Sequence, residues 1–376
     1  MRIPKFEMER WQSRWENVVE LNISESGVVP LTVRELMEGS GDAGSLLDTK
    51  LGYPQSNGGE KLRAHIAAFY PGASQENVLV TTGTAEANYV VTCALVEPGA
   101  EVVMMLPNYM QVAGAVRGFG GDIKPLWLRE DLRWAPDMDE LRRLVTSKTK
   151  LIAICNPNNP TGAVLTEKQM DEICAIAAKA GAWILADEVY RGAELAGGTT
   201  PTFWGRYEKV LCTAGLSKAF GLPGLRIGWV VGPAELVENL WGYKDYTTIG
   251  ISMLSDLLAT VALEPARREK IFERTRGILR KNYPVLRDWL DQHADLLRYV
   301  PPTAGAIVYV GYNANLGLKS MELAESLRVK KSVLIVPASQ FEMEGYLRIG
   351  FGYEREILQK ALGRVDEVMF RQVAAD

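Results

Sequence analysis

Between residues 77 and 232 the chain alternates short apolar runs with amphipathic stretches, and that alternation leaves few architectures open to it. The runs NVLVTT, EVVMMLP, DIKPLWL, KLIAIC, WILAD, KVLCTA and RIGWVVG have the length and apolar content of buried strands. Between most of them lie segments with helical spacing: TAEANYVVTCALV, a stretch from Tyr109 to Phe119, MDELRRLV and EKQMDEICAIAAKAG. Nearly continuous apolar strands separated by helices predict an α/β fold with a mainly parallel seven-stranded sheet covered by helices on both faces.

After Gly232 the pattern changes. Long helical stretches follow around AELVENLWGYKDY and ISMLSDLLATVAL, and then from Ala266 to Asp295. The last part of the chain reads as a smaller α+β unit, with strands at AIVYVGY, VLIVPA and YLRIG and helices at MELAESLR and REILQKALGRVDEVMFRQ. The first forty residues read as an arm with one helix around WQSRWEN and another around LTVRELM. The expected organisation is an arm and part of a small domain over 1–45, a large ligand-binding domain with a linking helix over 46–285, and a C-terminal small domain over 286–376.

Composition narrows the function. With 47% hydrophobic and 23% charged residues and a net charge of -4, nothing suggests nucleic acid or an anionic membrane as a partner. Apolar runs such as WILA and VVMML are far below the roughly 20 residues that span a bilayer, so no membrane segment is expected. The N-terminal MRIPKFEMERWQSRWEN has neither the apolar core nor the cleavage site of a signal peptide, so a cytoplasmic location is expected. Cys93, Cys155, Cys174 and Cys212 form no CxxC pair and read as reduced core residues. Two histidines, His65 and His293, are too few for a histidine-based metal site or a Ser/His/Asp triad, so no metal is expected.

Four motifs carry chemistry. In GLSKAFGLPGLRIGW, residues 215 to 229, Lys218 follows a strand in a turn whose apolar setting, with few neighbouring anions, suits a lysine that must lose its proton. Alone such a lysine reads as a solvated cation, but Arg226 follows between glycines, where it can pair bidentately with a phosphate. NPNNPTG, residues 156 to 162, lies at the carboxyl end of a buried strand, where ligands of open α/β sheets bind, although its composition also suits an ordinary turn. In WILADEVY, Asp187 ends a strand at a depth where a carboxylate needs a partner; a protonated pyridine nitrogen would serve, and so would a helix N-cap role. TTGTAEAN, residues 81 to 88, passes from strand to helix through a glycine, a weak sign by itself of an anion site at a helix N-terminus.

In this order the four motifs resemble, over essentially the whole chain, the fold-type I pyridoxal 5'-phosphate (PLP) enzymes of the class I/II aminotransferase superfamily. The resemblance implies PLP held as a Schiff base on Lys218, which also shuttles protons, and Asp187 as partner of the pyridine nitrogen. It implies Asn159 and Tyr190 at the ring hydroxyl, and Tyr109 of PNYMQV stacked on the ring. Gly83, Thr84 and Ala85 would cradle the phosphate with Arg226. Many relatives carry a hydroxyl three residues before the lysine; here that residue is Gly215, which leaves Ser217 or Thr213 as substitutes. Tyr53 of LGYPQSNGGEKLR would reach the phosphate from a second subunit, implying a homodimer with shared active sites. Arg348 of YLRIGFG would grip the substrate α-carboxylate, with Gly27 of SESGV closing over it.

The segment ERWQSRWENVVELNISESGVVPLT is similar to a branch that includes capreomycidine synthase and arginine oxidases and acts on arginine derivatives. By resemblance, α-proton removal gives a quinonoid from which the reactions diverge. The expected outcome is transamination between amino-acid and oxo-acid substrates. The alternative is an oxidase, hydroxylase, eliminase or cyclase of arginine or an arginine derivative; the oxidases carry a histidine just after the N-terminal glycine, where this chain has Val28. A regulatory role would need a DNA-binding domain ahead of LDTKLGYPQ, for which the arm is too short. Near the expected site the carboxylates Glu16 and Glu25 could meet a guanidinium or ammonium, although Glu16 and Arg191 read rather as solvated surface charges, and Trp11 and Trp15, four apart, read as packing.

Overall fold

The computed structural model describes residues 2–39, 43–313, 317 and 319–369. Its strands are β1 (Leu21–Asn22), β2 (Val78–Thr81), β3 (Glu101–Leu106), β4 (Asp122–Trp127), β5 (Thr149–Cys155), β6 (Trp183–Asp187) and β7 (Val210–Gly215). There follow β8 (Gly228–Val231), β9 (Leu297–Tyr299), β10 (Ile307–Tyr312), β11 (Val333–Leu334), β12 (Val336–Pro337) and β13 (Tyr346–Gly350).

The large sheet has the order β2-β8-β7-β6-β5-β3-β4, and only β8 runs antiparallel to its neighbours. The seven expected strands are these seven. Successive side chains along a strand point to opposite faces, so the sheet divides two cores. Val103, Met105, Ile152, Ile154, Ile184 and Ala186 enter one, and Val102, Met104, Leu106, Leu151, Ala153 and Leu185 enter the other. Residues 216–227, which join β7 to the reversed β8, form no α-helix and carry the lysine motif.

Helix boundaries follow local chemistry. The helix Glu167–Ala180 opens on a capping box of Thr166 and Gln169 and closes at Gly181, whose φ of 68° suits glycine. The stretch expected from Tyr109 is helical only over Gln111–Gly118, because the Tyr109 N–H donates to Asn108 Oδ1 at 2.6 Å in a turn. The N-terminal helix covers Glu7–Trp15, beginning earlier than WQSRWEN, with Met8 and Trp11 turned into the core.

The smaller sheet, β12-β13-β10-β9, is antiparallel and carries the helices Ser320–Lys331 and Arg355–Met369. Strand β1 pairs in parallel with β11, which ties the N-terminal segment to the C-terminal unit. The single strand expected at VLIVPA is therefore two: Val333–Leu334 pairs with β1 and Val336–Pro337 with β13. The break falls at Ile335, whose carbonyl accepts from Trp11 Nε1 at 2.9 Å, so Trp11 is the packing residue expected. The strands β1 and β9 and the helix Glu60–Ala67 have no counterpart in the sequence reading. Among the described residues no helix is long and apolar enough to cross a membrane.

Candidate active site

The parallel strands of the large sheet all present their carboxyl ends to one edge, where open α/β sheets bind ligands. A cavity of about 270 Å³ lies there, walled by the ends of β5 and β6, the N-terminus of the helix Gly83–Leu95, β13 and the helix Glu7–Trp15. It brings together Thr84, Ala85, Tyr109, Asn159, Asp187, Tyr190, Ser217, Lys218, Arg226, Arg348 and Glu25 from seven separated segments.

Asp187 closes β6 and is buried. Its carboxylate accepts from Asn88 Nδ2 at 3.0 Å and from the Val189 N–H at 3.1 Å, and Thr213 Oγ1 fixes that amide by donating to Asn88 Oδ1 at 2.7 Å. Burial pushes the carboxyl up to about 6, and among the described residues no cation pairs with it. No helix begins at Asp187, so it is not an N-cap. It is a buried acceptor suited to a cationic ring.

Arg348, on β13, is 1% exposed and has no carboxylate partner among the described residues. Its Nη2 donates to the Ser24 carbonyl at 2.6 Å and its Nη1 to Asn159 Oδ1 at 3.0 Å, while Nε has no partner. Burial draws its pKa below the ordinary arginine value. A guanidinium placed so deep is costly unless an anion joins it.

The turn into the helix Gly83–Leu95 is packed to its limit. Gly83 has φ +76, and a Cβ there would lie 2.4 Å from Arg226 Nη2. Arg226 Nη1 donates to Ser217 Oγ at 3.3 Å and to the Pro223 carbonyl at 3.1 Å, and no carboxylate neutralises the guanidinium among the described residues. Thr84 Oγ1 is buried without a partner, and a Cβ on Gly215 would come within 2.5 Å of it. The hydroxyl missing at 215 is thus replaced in space by Thr84, and Thr213 is committed to Asn88. Free N–H groups, an orphan hydroxyl and an unpaired guanidinium together make an anion cradle.

Tyr109 meets Phe6 edge-on at 4.9 Å between ring centroids and donates its hydroxyl to Glu9 Oε1 at 2.7 Å. Tyr190 donates to Ser26 Oγ at 2.9 Å. Asn159 does enter the cavity, while its neighbours Asn156 and Asn158 accept from Leu165 and Thr161 as turn residues, so both readings of NPNNPTG hold.

Lys218 departs from expectation. Its surroundings are not poor in anions: Nζ donates to Glu25 Oε1 at 2.5 Å. Burial disfavours the ammonium most strongly, but the Glu25 charge, the Tyr190 hydroxyl and the hydrogen bond to Glu25 together outweigh it and the lysine pKa is raised. Glu25 is therefore engaged by the protein itself. The cavity carboxylate with no partner among the described residues is Glu16, half-exposed on the wall, with its pKa raised by burial and by Glu25 and Glu9. Arg191 is not a solvated charge; it is buried, donates to Glu188 at 3.1 Å and lies 4.2 Å over the Phe69 ring. Polar partners of its own make that depth tolerable.

Three expected residues stand apart from the cavity wall: Gly27, Tyr53 and Gly83, the last of which packs beneath Arg226. Gly27 lies behind Lys218, with a notional Cβ 3.6 Å from the lysine Cδ. Tyr53 is 89% exposed. Conversely, Asn88, Ser26, Met8, Glu9 and Gln12 belong to the site and were not foreseen. A polar Asn88 inside an apolar helix was the one available signal; the roof residues came from a segment read only as an arm.

A flat cationic heterocycle bearing a phosphate accounts for Asp187, Thr84 Oγ1, the helix N-terminus and Arg226, and leaves Arg348 and Glu16 for other charged groups. Together with the mainly parallel seven-stranded sheet, that donor set defines a fold-type I PLP-dependent enzyme.

Residues 23–365 match the family model of aminotransferase class I and II, and the chain belongs to that family. It is 30% identical over 373 residues to capreomycidine synthase of Streptomyces vinaceus, covering 97% of this chain and 94% of that protein. Its structure matches a PLP-dependent aminotransferase from Streptococcus suis 89-1591 with TM-score 0.92 and 34% identity, over 99% of both chains. It matches the PLP-dependent cyclase OrfR with TM-score 0.90 and 27% identity, over 99% of this chain and 98% of that one. The protein is a PLP-dependent transferase of this family.

Proposed function

We propose that the protein is an aminotransferase that moves the amino group of an L-amino acid to an oxo acid, with Lys218 as the cofactor-binding and proton-carrying residue. The observation that carries this is the convergence of Lys218, Asp187 and a carboxylate-free Arg348 in one cavity beside the anion cradle. PLP supplies the electron sink that makes an amino acid's α-proton removable.

The remaining work falls to the chain. Thr84, Ala85, Ser217 and Arg226 hold the phosphate, and Tyr109 covers the ring. Asp187, oriented by Asn88 and Val189, keeps the ring nitrogen protonated, a role its raised pKa does not prevent once a cation adjoins it. Tyr190 and Asn159 face the ring hydroxyl. Arg348, already held by Ser24 and Asn159, presents its unpartnered Nε to the substrate carboxylate. Lys218 carries the α-proton on Nζ. The exposed Tyr53 fits a role in the cavity of a second copy, so that a homodimer completes the site.

A second reading, elimination, cyclisation or oxidation of an arginine-type substrate, is favoured by Glu16, which lies unpartnered and crowded by Glu9 and Glu25 where a cationic side chain would relieve the repulsion. The likeness to capreomycidine synthase supports the same substrate class. A panel of twenty amino acids assayed in parallel for oxo acid, ammonia and peroxide separates the readings. Oxo acid formed only with an amino acceptor is expected; peroxide, or ammonia without an acceptor, overturns transamination. Lys218→Ala should abolish the absorbance of covalently bound cofactor.

A further inference from the structure

Lys218 does not point into open solvent. Glu25 Oε1 accepts from the Ser26 N–H at 2.8 Å and the Gly27 N–H at 3.0 Å, and Lys218 Nζ is its third donor at 2.5 Å. The two backbone donors lie one and two residues along the chain from Glu25, so they hold the carboxylate in place whether or not the lysine is there. Gly27 packs beside the pair: a notional Cβ there would be in ordinary contact, 3.6 Å from both Glu25 Oε1 and Lys218 Cδ, and 3.3 Å from the Ser217 carbonyl.

The pair keeps contact with the cavity, each side chain being about a quarter exposed, 25% for Lys218 and 24% for Glu25. Charged and titratable groups face it from every side: Glu9 and Glu16 from the roof helix, Asp187 and Tyr190 from the end of β6, Arg226 from the β7–β8 connection, and Arg348 and Tyr353 from β13 and just beyond. Burial and Arg348 oppose the ammonium, and Glu25 and Tyr190 favour it. Burial works against the Glu25 carboxylate too, yet Lys218 and the Ser26 N–H bring its pKa down to about 2.

We propose that Glu25 is a positioning residue that receives Lys218 whenever its amine is off the cofactor and holds the proton on Nζ there. The assignment rests on Lys218 being the cofactor lysine. A proton taken onto Nζ is then retained in an ion pair until it is given back, and the amine regains nucleophilic character only when it leaves Glu25.

The test uses the full chain freed of PLP, and follows the rate at which added PLP is captured covalently between about pH 6.5 and 10, fixed by borohydride and located by peptide mass. Only the neutral amine attacks, so the rate climbs with pH through the titration of Lys218, whose unperturbed value is about 10.4. Glu25→Gln keeps an oxygen for the two backbone donors and removes the charge. Because a charge-assisted hydrogen bond is lost, capture at neutral pH should be roughly tenfold faster, with the profile moved to lower pH. Glu25→Asp should restore much of the original profile. Superimposed profiles for the unsubstituted chain and Glu25→Gln overturn the proposal. Should Glu25→Gln lose its native circular dichroism, the unsubstituted chain, followed to about pH 11.5, decides alone: a rate still climbing beyond about pH 10.4 supports the ion pair, and one that levels off at or below that value overturns it. Label recovered from Lys218→Ala would instead overturn the assignment of the cofactor lysine and leave the role of Glu25 aside.

Discussion

Replacing Asp187 with asparagine separates what the buried carboxylate does for the fold from what it does for the cofactor. In the cofactor-free protein, burial lifts this carboxyl from an ordinary 3.8 to about 6. Each pH unit of that gap is 1.36 kcal/mol, so the ionised form costs the cofactor-free fold about 3 kcal/mol. The sign follows from proton affinity. The folded chain holds this proton more tightly than the unfolded chain, so the favourable contribution is complete below about pH 4 and is lost as pH rises through about 6.

The substituted amide would carry no charge at any pH but offers one carbonyl oxygen, so either Asn88 Nδ2 or the Val189 N–H loses its acceptor, a constant cost of about 1–2 kcal/mol. The difference in stability between the Asp187→Asn variant and the unsubstituted chain should therefore move in the variant's favour by about 3 kcal/mol between pH 4 and pH 7. At neutral pH the variant should come out ahead by about 1–2 kcal/mol. Urea denaturation of both cofactor-free chains at a series of pH values measures this. A stability difference that does not change with pH refutes the argument, because it would mean that the carboxylate bears no desolvation cost. With PLP present the proposed role of Asp187, holding the ring nitrogen's proton by its charge, predicts that the order reverses and that α-deprotonation falls by orders of magnitude.

Other outcomes follow from the same geometry. Arg348→Met should weaken binding of an amino acid about 100-fold, equivalent to roughly 2–3 kcal/mol for a charge-assisted pair, and leave binding of the decarboxylated amine nearly unchanged, as read by spectral titration. Thr84→Val removes a buried hydroxyl that has no partner, so the cofactor-free chain should lose less than about 0.5 kcal/mol in denaturation while PLP dissociation becomes about tenfold easier. Tyr53→Phe should leave the stability of the chain within about 0.5 kcal/mol, because the side chain is exposed, yet lower PLP affinity if, as proposed, its hydroxyl reaches the phosphate of a second copy. Unchanged PLP affinity in equilibrium dialysis would remove that role.

Periodicity and the strand-end motifs made the large sheet and the groups gathered at its cavity legible. Asp187, Asn159, Lys218 and Arg226 each follow a strand or a turn whose character is local, and the cavity contains all four. Legibility failed where a residue's meaning depends on something distant. Arg191 lies in a short turn and looks like a surface charge, but Glu188 and the Phe69 ring bury it. Glu25 looks free for a substrate, yet Lys218, nearly two hundred residues away, occupies it. VLIVPA looks like one strand and is divided by the Trp11 indole at the Ile335 carbonyl.

The sequence by itself determined the class of architecture, the order of the motifs and the chemistry of the cofactor groups, because strand alternation and turn composition are short-range properties written in consecutive residues. Tertiary structure alone decided which partner each charge meets. It set Asn88 and Thr213 behind Asp187, substituted Thr84 for a missing hydroxyl, roofed the cavity with the helix Glu7–Trp15, and turned Lys218 from an expected neutral amine into the cationic half of an ion pair. The reason is physical: a side chain's protonation state depends on the charges and solvent within a few ångströms, and folding brings those neighbours from positions that no local pattern connects.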